Sequence, residues 1–186
     1  MIEKPDNVDN QSDEILMQNI KNGNLEGMAV LFERYHRKLY NFFLRMGLKQ
    51  DESQDLTQNL FYRMIKYRTS YKTGKNVRTW IYQIARNLFN DYSRIRSRSG
   101  ELFLQTDKIP ACIEDDNGTY EEEDYEKLER SLAFLSDGQR EILVMNRFMG
   151  LKYEEISVIV NQSVPAIKVT MHRAIKQLRS AFFKQV

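Results

Sequence analysis

The sequence predicts an all-α protein with two small helical domains, an N-terminal helical bundle and a C-terminal helix-turn-helix domain, joined by a flexible acidic linker. Apolar residues recur every three or four positions through most of the chain, and strand-like alternation is nowhere sustained. Acidic residues concentrate in one aperiodic central segment. We expect a polar tail with the start of the first helix over 1–23, domains over 24–99 and 124–186, and the linker over 100–123.

The composition suits a chain of this size and excludes several classes. A length of 186 residues fits one or two modest domains, and 41% hydrophobic residues can supply packed cores. The mean hydropathy is −0.60, and no apolar run approaches the roughly 18 residues that a bilayer span needs. Cys112 is the only cysteine, so no disulfide can form within the chain. We therefore expect a protein without a membrane span in a reducing, cytoplasmic compartment.

Charge is strongly segregated although the net charge is only +2. Residues 61–98 contain ten Lys or Arg and one acid, Asp91, whereas residues 101–127 contain ten acids and two lysines. From Ile156 to the end there is no Asp or Glu at all. A basic, acidic, basic order predicts two separate surfaces for a polyanion.

The apolar pattern of the first domain predicts three helices. The first helix runs from Leu25 to Met46 and is ended by Gly47. Its expected buried stripe is Leu25, Met28, Phe32, Tyr35, Leu39, Phe43 and Met46. Asp51 and Gln54 have the spacing of a capping box for the second helix.

The third helix of this domain follows the loop "TSYKTGKN". It is predicted to run from Val77 to about Arg96, with Ile95 among its buried residues. Its outward face carries amides and arginines, which can track phosphates and read base edges. Arg94, Arg96 and Arg98 are expected to bind phosphate.

The second domain ends in a helix-turn-helix pattern. Another helix is marked by Leu128, Leu132 and Leu135, and "SDGQ" at 136–139 has the spacing of a capping box. "YEEISVIV" over 153–160 then forms the first helix of the pair.

Three residues define the turn of this pair. Asn161 tolerates the left-handed conformation that the turn requires. Ser163 can cap the last helix, and Pro165 falls in its first turn, where a missing N–H has no consequence.

The last helix separates apolar from basic residues. Its outward residues are Pro165, Lys168, Val169, His172, Arg173 and Lys176. Val169 is a β-branched apolar residue amid cations, which suits a thymine methyl group in the major groove. On this pattern alone, DNA recognition and a merely solvated helix face both remain open.

Two sets of motifs, in order and covering residues 24–184, resemble the bacterial sigma-70 superfamily. "LSDGQREILVMNRFMGLKYEEISVIVNQSVPAIKVTMHRAIKQLR" resembles its C-terminal promoter-binding domain. "DLTQNLFYRMIKY" and "TWIYQIARNLFNDYSRIRSR" resemble its polymerase-binding and −10 regions. The short length and direct linker indicate the extracytoplasmic-function (ECF) group.

The resemblance implies three sets of binding residues. The set expected to bind the −35 element is Ser163, Pro165, Ala166, Lys168, Val169, His172, Arg173 and Lys176. The set expected to bind the −10 element is Tyr71, Lys75, Arg78, Thr79, Gln83, Arg86, Asn87, Asn90 and Arg94, with Tyr71 as a candidate for stacking on a base. The set expected to contact core polymerase is Asp55, Gln58, Asn59 and Tyr62.

The implied partners are promoter DNA, core RNA polymerase through its β′ clamp helices and β flap, and an anti-sigma factor. No cofactor, metal site or catalytic group is predicted, because His36 and His172 stand alone and Cys112 has no partner base. Two other functions remain open: a helix-turn-helix repressor acting without polymerase, and a module that binds only other proteins. A repressor normally dimerises on a palindrome, whereas these two basic domains differ from each other.

Overall fold

The computed structural model describes residues 8–98 and 122–184, and those residues form helices and turns without a strand. Short 3₁₀ turns lie at Val8–Asn10 and Arg68–Ser70, and a π-helical turn lies at Val144–Phe148. The helices are α1 (Asp13–Lys21), α2 (Gly27–Arg45), α3 (Gln50–Lys66), α4 (Val77–Arg98), α5 (Glu122–Leu132), α6 (Asp137–Leu143), α7 (Tyr153–Val160) and α8 (Val164–Lys184). The all-α prediction is confirmed.

Helix α1 was not predicted as a separate element and belongs to the first bundle. Ser12 caps it by accepting a hydrogen bond from the Ile15 N–H at 3.4 Å. Leu16, Met17 and Ile20 are buried against the neighbouring helices. The expectation of a polar tail over 1–23 is therefore wrong for the part of that range that forms α1. Residues 1–7 lie outside the described ranges.

Helix α2 ends where the sequence predicts, and most of its predicted buried stripe is confirmed, with two exceptions. Gly47 follows the helix with φ +94°, a left-handed conformation that favours glycine. Leu25 precedes the helix and is 44% exposed, and Phe32 is 38% exposed while stacking on the His36 ring. Leu31 and Phe42 are fully buried instead. The predicted residues Tyr35, Leu39, Phe43 and Met46 are buried, so the departure from expectation lies at Leu25 and Phe32.

The start of α3 and the end of α4 also differ from expectation. Helix α3 begins at Gln50, and the Glu52 carboxylate accepts the Lys49 N–H at 2.7 Å, in place of a cap by Asp51 and Gln54. In α4, Ile95 is 66% exposed. Arg96 is buried, and its Nη1 lies 3.1 Å from Glu52 Oε1. The expectation that Arg96 binds phosphate is therefore wrong for this structure.

The second domain follows the sequence prediction closely. Ser136 caps α6, and its N–H donates to Gln139 Oε1 at 3.0 Å. Helix α7 spans the predicted residues, and Asn161 ends it at φ 54°, ψ 50°. The predicted acidic linker lies almost wholly in 99–121, outside the described ranges, and its last residues begin α5.

The two domains pack against each other and share one hydrophobic core. Arg45 of α2 forms a buried ion pair with Glu129 of α5, with 2.8 Å between Nε and Oε1. The Arg45 guanidinium also lies 4.1 Å from the centroid of the Phe148 ring. Arg140 of α6 donates to the Met46 carbonyl at 3.3 Å. Buried polar contacts of this kind define one particular arrangement of the domains.

Candidate nucleic-acid interface

Helix α8 presents a continuous exposed surface. Ile167, Met171 and Ala174 hold the opposite side of the helix in the core. We call the exposed side the α8 face. It consists of Ser163, Pro165, Ala166, Lys168, Val169, His172, Arg173 and Lys176, all of them exposed. This matches the full set predicted to bind the −35 element, whose role in binding DNA stays a prediction.

The turn before α8 sets the orientation of this face. Asn161 in the left-handed conformation reverses the chain between α7 and α8. Ser163 Oγ accepts the Ala166 N–H at 3.4 Å, and Pro165 lies in the first turn. These three residues bring the N-terminal end of α8 to the surface, which is the end that enters the major groove in helix-turn-helix proteins.

A second exposed surface lies on α3. Leu56, Leu60 and Met64 anchor the helix in the core. We call the outward side the α3 face. It consists of Asp55, Gln58, Asn59 and Tyr62, all of them exposed. Tyr62 is 62% exposed, and Lys66 Nζ lies 5.8 Å from the centroid of its ring. An exposed aromatic ring beside polar groups suits a protein partner.

The nine residues predicted to bind the −10 element fall into three groups. The first group is exposed and consists of Lys75, Asn87, Asn90 and Arg94. Lys75 lies in the loop before α4, and the other three lie in the middle and the C-terminal half of the helix, where they are available to a ligand. The remaining five are either buried in the first domain or engaged by the second domain.

Tyr71 and Thr79 are buried within the first domain, which corrects their prediction. Tyr71 is 1% exposed, its hydroxyl donates to the Lys75 carbonyl, and its ring packs edge-on against Trp80 at 5.6 Å between centroids. Thr79 is 8% exposed and donates from Oγ1 to Asn76 Oδ1 at 3.2 Å. A ring with so little free surface cannot stack on a base, so the stacking prediction is wrong for this structure.

Arg78, Gln83 and Arg86 form the third group and contact the second domain. Arg86 Nε lies 2.8 Å from Glu141 Oε1. Gln83 Nε2 donates to the Val158 carbonyl at 3.4 Å. Arg78 donates to the Gly150 carbonyl and lies 3.6 Å from Glu155 Oε2.

Two buried glutamates of the second domain, which pair with arginines of the first domain, were not predicted from the sequence. Burial raises the pKa of Glu141, an effect that the Arg86 guanidinium partly opposes. Glu129 is 3% exposed and Glu141 is 8% exposed, although Glu is seldom buried without a partner. Both lie on amphipathic helices where a charged residue normally faces water, so local pattern carried no signal for their burial.

The described ranges contain neither a candidate metal site nor a candidate membrane span. Within residues 8–98 and 122–184, no group of three or more His, Cys, Asp and Glu side chains is placed to hold a metal ion. Over the same residues, no helix has the length and apolarity to cross a bilayer.

Comparison with known families matches both domains. The sigma-70 region 2 family matches residues 31–99, and the sigma-70 region 4 family matches residues 125–178. Together they cover the two basic domains in the order that the motifs predict.

Individual relatives span nearly the whole chain. The Bacillus subtilis ECF RNA polymerase sigma factor SigM is 29% identical over 158 residues, covering 84% of this chain and 95% of its own. The RNA polymerase sigma factor YlaC of the same organism is 26% identical over 162 residues, covering 83% and 91%.

Two solved structures share the fold. CnrH, in complex with the cytosolic domain of CnrY, superposes with a TM-score of 0.71 at 18% identity, covering 95% of this chain and all of that one. The sigma factor RpoE of Bartonella quintana, in complex with the anti-sigma factor NepR, gives a TM-score of 0.63 at 25% identity, covering 81% and 93%.

Two linked helical domains, the second a helix-turn-helix with an exposed basic face, define the class of promoter-recognition proteins. The chain belongs to the sigma-70 family, in its extracytoplasmic-function group.

Proposed function

We propose that the protein is a sigma factor that binds core RNA polymerase and directs it to promoters. The observation that carries this proposal is the ordered match to sigma-70 regions 2 and 4 on one chain. It is supported by relatives of similar length that are named RNA polymerase sigma factors. A repressor acting alone is not favoured, because its fold would need neither region 2 nor an exposed α3 face.

The α8 face is proposed to read the −35 element in the major groove. Lys168, Arg173 and Lys176 supply cations for phosphates, which position the helix. Val169 is 50% exposed and offers an apolar contact for a thymine methyl group. His172 and Ser163 add polar atoms near the same groove. Affinity from this face should fall steeply as salt rises, because phosphate contacts release counterions.

The −10 element is proposed to bind along α4 and the loop before it. Asn87 and Asn90 supply amides that can read base edges, and Lys75 and Arg94 supply cations. Opening the duplex requires a base to leave the stack, which costs a few kcal/mol. Lys72 and Gly74 are exposed in the loop, which is therefore the candidate place for an unstacked base.

The α3 face is proposed to contact the β′ clamp helices of core polymerase, and the second domain is proposed to contact the β flap. Tyr62 is the expected anchor, since an exposed aromatic ring gains most from burial at an interface. Asp55, Gln58 and Asn59 surround it with polar groups that can hydrogen-bond at the rim.

An anti-sigma factor is a further proposed partner. The solved structure of the RpoE sigma factor holds the anti-sigma factor NepR, and its fold covers most of this chain. A protein covering the α3 face would prevent polymerase binding.

The experiment is a pull-down of purified chain with core RNA polymerase, followed by transcription from a library of promoter fragments. We expect binding in the pull-down and a set of start sites that depends on the added chain. A repressor would bind duplex fragments without core enzyme and would direct no transcript. Failure both to bind core enzyme and to direct any start site would contradict the proposal.

A further inference from the structure

One side of helix α1 carries three polar residues that all contact the loop before α4 or the first residue of α4. They are Glu14, Gln18 and Lys21, which lie four and three positions apart and therefore share one face of the helix. We call them the α1 stripe, and we call residues 71–76 the α4 loop. Helix α1 precedes residue 31, where the match to sigma-70 region 2 begins, so the family match assigns these residues no role.

Two members of the α1 stripe form hydrogen bonds with the α4 loop itself. Lys21 donates from Nζ to the Tyr71 carbonyl at 2.8 Å, across 50 residues of sequence. Gln18 Oε1 accepts a hydrogen bond from Thr73 Oγ1 at 2.6 Å. Lys21 is partly buried, and a hydrogen bond from an ammonium group is stronger than one between neutral groups. These two contacts fix the first half of the loop against α1.

The third member contacts the point where the loop becomes a helix. Glu14 Oε1 accepts the N–H of Val77, the first residue of α4, at 3.4 Å. A carboxylate at this end of a helix also interacts favourably with the helix dipole. Burial, together with the charge of Glu14, raises the pKa of the Tyr71 hydroxyl, so the carboxylate lies close to the loop as well. The α1 stripe therefore contacts both ends of the α4 loop.

The outer side of the α4 loop is open. Lys72, Gly74 and Lys75 are exposed, and a β-carbon built at Gly74 would meet no atom within 4 Å. The loop is also closed on itself, because the Tyr71 hydroxyl donates to the Lys75 carbonyl. A loop that is hydrogen-bonded on its inner side and empty on its outer side can offer a ligand one fixed shape.

We propose that the α1 stripe is a positioning element for the −10 element and holds the α4 loop in the shape that receives an unstacked base. This inference rests on the proposed role of the loop in binding the −10 element. The three residues of the stripe are positioning residues and do not contact the base. Without their contacts the loop samples other shapes, and the apparent affinity falls with the fraction of time that it spends in the receptive shape.

Three substitutions in the full chain separate positioning from charge. Glu14→Ala, Gln18→Ala and Lys21→Met each remove one contact, and Ala and Met are good helix formers, so α1 should be retained. Glu14→Ala removes a negative charge and Lys21→Met removes a positive charge. Simple attraction of DNA would therefore strengthen with the first and weaken with the second. Positioning predicts that binding weakens in both, and in the neutral change Gln18→Ala.

Two further variants serve as controls. Asn19→Ala changes an exposed neighbour of Gln18 on the same helix, whose amide lies 3.5 Å from Gln11 Oε1 and does not contact the loop. Lys21→Arg retains a cationic donor for the Tyr71 carbonyl and should restore most of the parent's behaviour. Circular dichroism and thermal melting check that each variant is folded.

The first readout is hydrogen exchange of the full chain, measured by mass spectrometry on peptides from the α4 loop and from α3. We expect faster exchange of the loop peptide in the three stripe variants, because a segment that loses its contacts opens locally. The α3 peptide should exchange at the parent rate in every variant, and Asn19→Ala should match the parent in both peptides. Loop exchange at the parent rate in all three stripe variants would overturn the inference.

The second readout is binding of a fluorescein-labelled, 12-nucleotide single-stranded DNA to the complex of the chain with core polymerase. The DNA carries the −10 sequence of the start sites that the parent directs. If the loosened loop spends about a tenth to a third of its time in the receptive shape, the affinity should fall by about threefold to tenfold in each stripe variant. Binding of a duplex with the −35 element, which uses the α8 face, should stay at the parent level.

Two outcomes of this measurement would contradict the inference. One is an unchanged affinity for the single strand in variants whose loop exchanges faster. The other is a shift in opposite directions for Glu14→Ala and Lys21→Met, which is the result expected from charge alone.

The inference and the proposed function fail in different ways. If the chain binds core polymerase and directs transcripts while the stripe variants bind the −10 strand like the parent, only the inference fails. If the chain does not bind core polymerase, the proposed function fails, and the comparison is made on the free chain with a 12-nucleotide single strand of random sequence. A loss of affinity in the three variants then still supports positioning, whereas equal affinities, or no binding by the parent, contradict it.

Discussion

Arg86 and Glu141 form an ion pair with 2.8 Å between Nε and Oε1, although they lie 55 residues apart in sequence and in different domains. Arg86 sits on the helix proposed to bind the −10 element, and burial in this contact raises the pKa of Glu141. An arginine of the surface predicted to bind DNA therefore forms an ion pair with a glutamate of the same chain. The availability of α4 to DNA depends on the arrangement of the domains as well as on the helix itself.

Substitution of Arg173 tests the α8 face. Arg173→Gln should weaken binding to duplex promoter DNA and lower the slope of log K against log salt by about 0.9, because one phosphate contact is lost. Fluorescence anisotropy from low to moderate salt measures both quantities. Arg37→Gln, which removes an exposed arginine outside the proposed DNA sets, is the control. An unchanged slope in Arg173→Gln would remove this residue from the proposed −35 contacts.

Tyr62→Ala tests the α3 face. The ring is 62% exposed, so its loss should change the free energy of unfolding little while weakening core polymerase binding by about tenfold or more. Competition against a labelled sigma factor for core enzyme measures the affinity. Ile95→Ala removes another exposed apolar side chain, 66% exposed on α4, and should leave the affinity unchanged. Equal affinities of the parent and Tyr62→Ala would show that polymerase binds elsewhere.

The conformation of Asn161 can be tested by two substitutions at one position. Asn161 adopts φ 54°, a region that costs a residue with a β-carbon about 1–2 kcal/mol and that Asn tolerates better than most. Asn161→Ala should lower the free energy of unfolding by about 1 kcal/mol. Asn161→Gly should change it much less. Urea denaturation measures both variants, and an equal loss in the two would show that the side chain, not the backbone conformation, is what matters.

The contact among Glu52, Tyr92 and Arg96 predicts a pH dependence of stability. Partial burial tends to raise the pKa of Glu52, but hydrogen bonds from Tyr92 at 2.7 Å and from the Lys49 N–H, together with Arg96, hold it below 4.5. The unfolded chain therefore binds this proton more readily than the folded chain. The resulting stabilisation is fully present above pH 4.5 and is lost as the pH falls through the depressed pKa.

Glu52→Gln should flatten this part of the curve of unfolding free energy against pH. Tyr92→Phe should flatten it in part, since the strongest hydrogen bond that lowers the pKa is removed. Asp51→Asn is the control, because it removes another carboxylate from the first turn of α3 without touching the contact. Identical curves for the parent and Glu52→Gln would contradict the prediction.

Much of the fold followed from local pattern. The limits of α7, the left-handed Asn161 and the Ser136–Gln139 cap depend on residues a few positions apart, so the sequence predicts them directly. The α8 and α3 faces follow from helical periodicity once the apolar side is known. The missed helix α1 is short, and its apolar residues Leu16, Met17 and Ile20 stand in a polar stretch.

Other expectations failed because side chains at a helix boundary have more than one possible environment. Tyr71 lies in a loop, where a ring can either face a ligand or cover the core. In the structure the ring packs against Trp80 and is buried. Arg94 and Arg96 are both arginines near the end of α4, so the sequence does not distinguish their roles. In the structure it is Arg96 that forms an ion pair with Glu52 of α3. Helical periodicity in the sequence carries no information about contact partners that are distant along the chain.

By itself, the sequence determined the helices, their caps and the faces that carry charge, since these depend on neighbours within about one or two helical turns. Only the tertiary structure decided which charged faces are free. Arg78 and Arg86 meet glutamates more than fifty residues away, and Arg45 is buried against Glu129 across 84 residues. Such pairs arise from the packing of one domain on the other. The charge pattern of the sequence predicts which helix face is basic, but it does not predict which other part of the chain packs against that face.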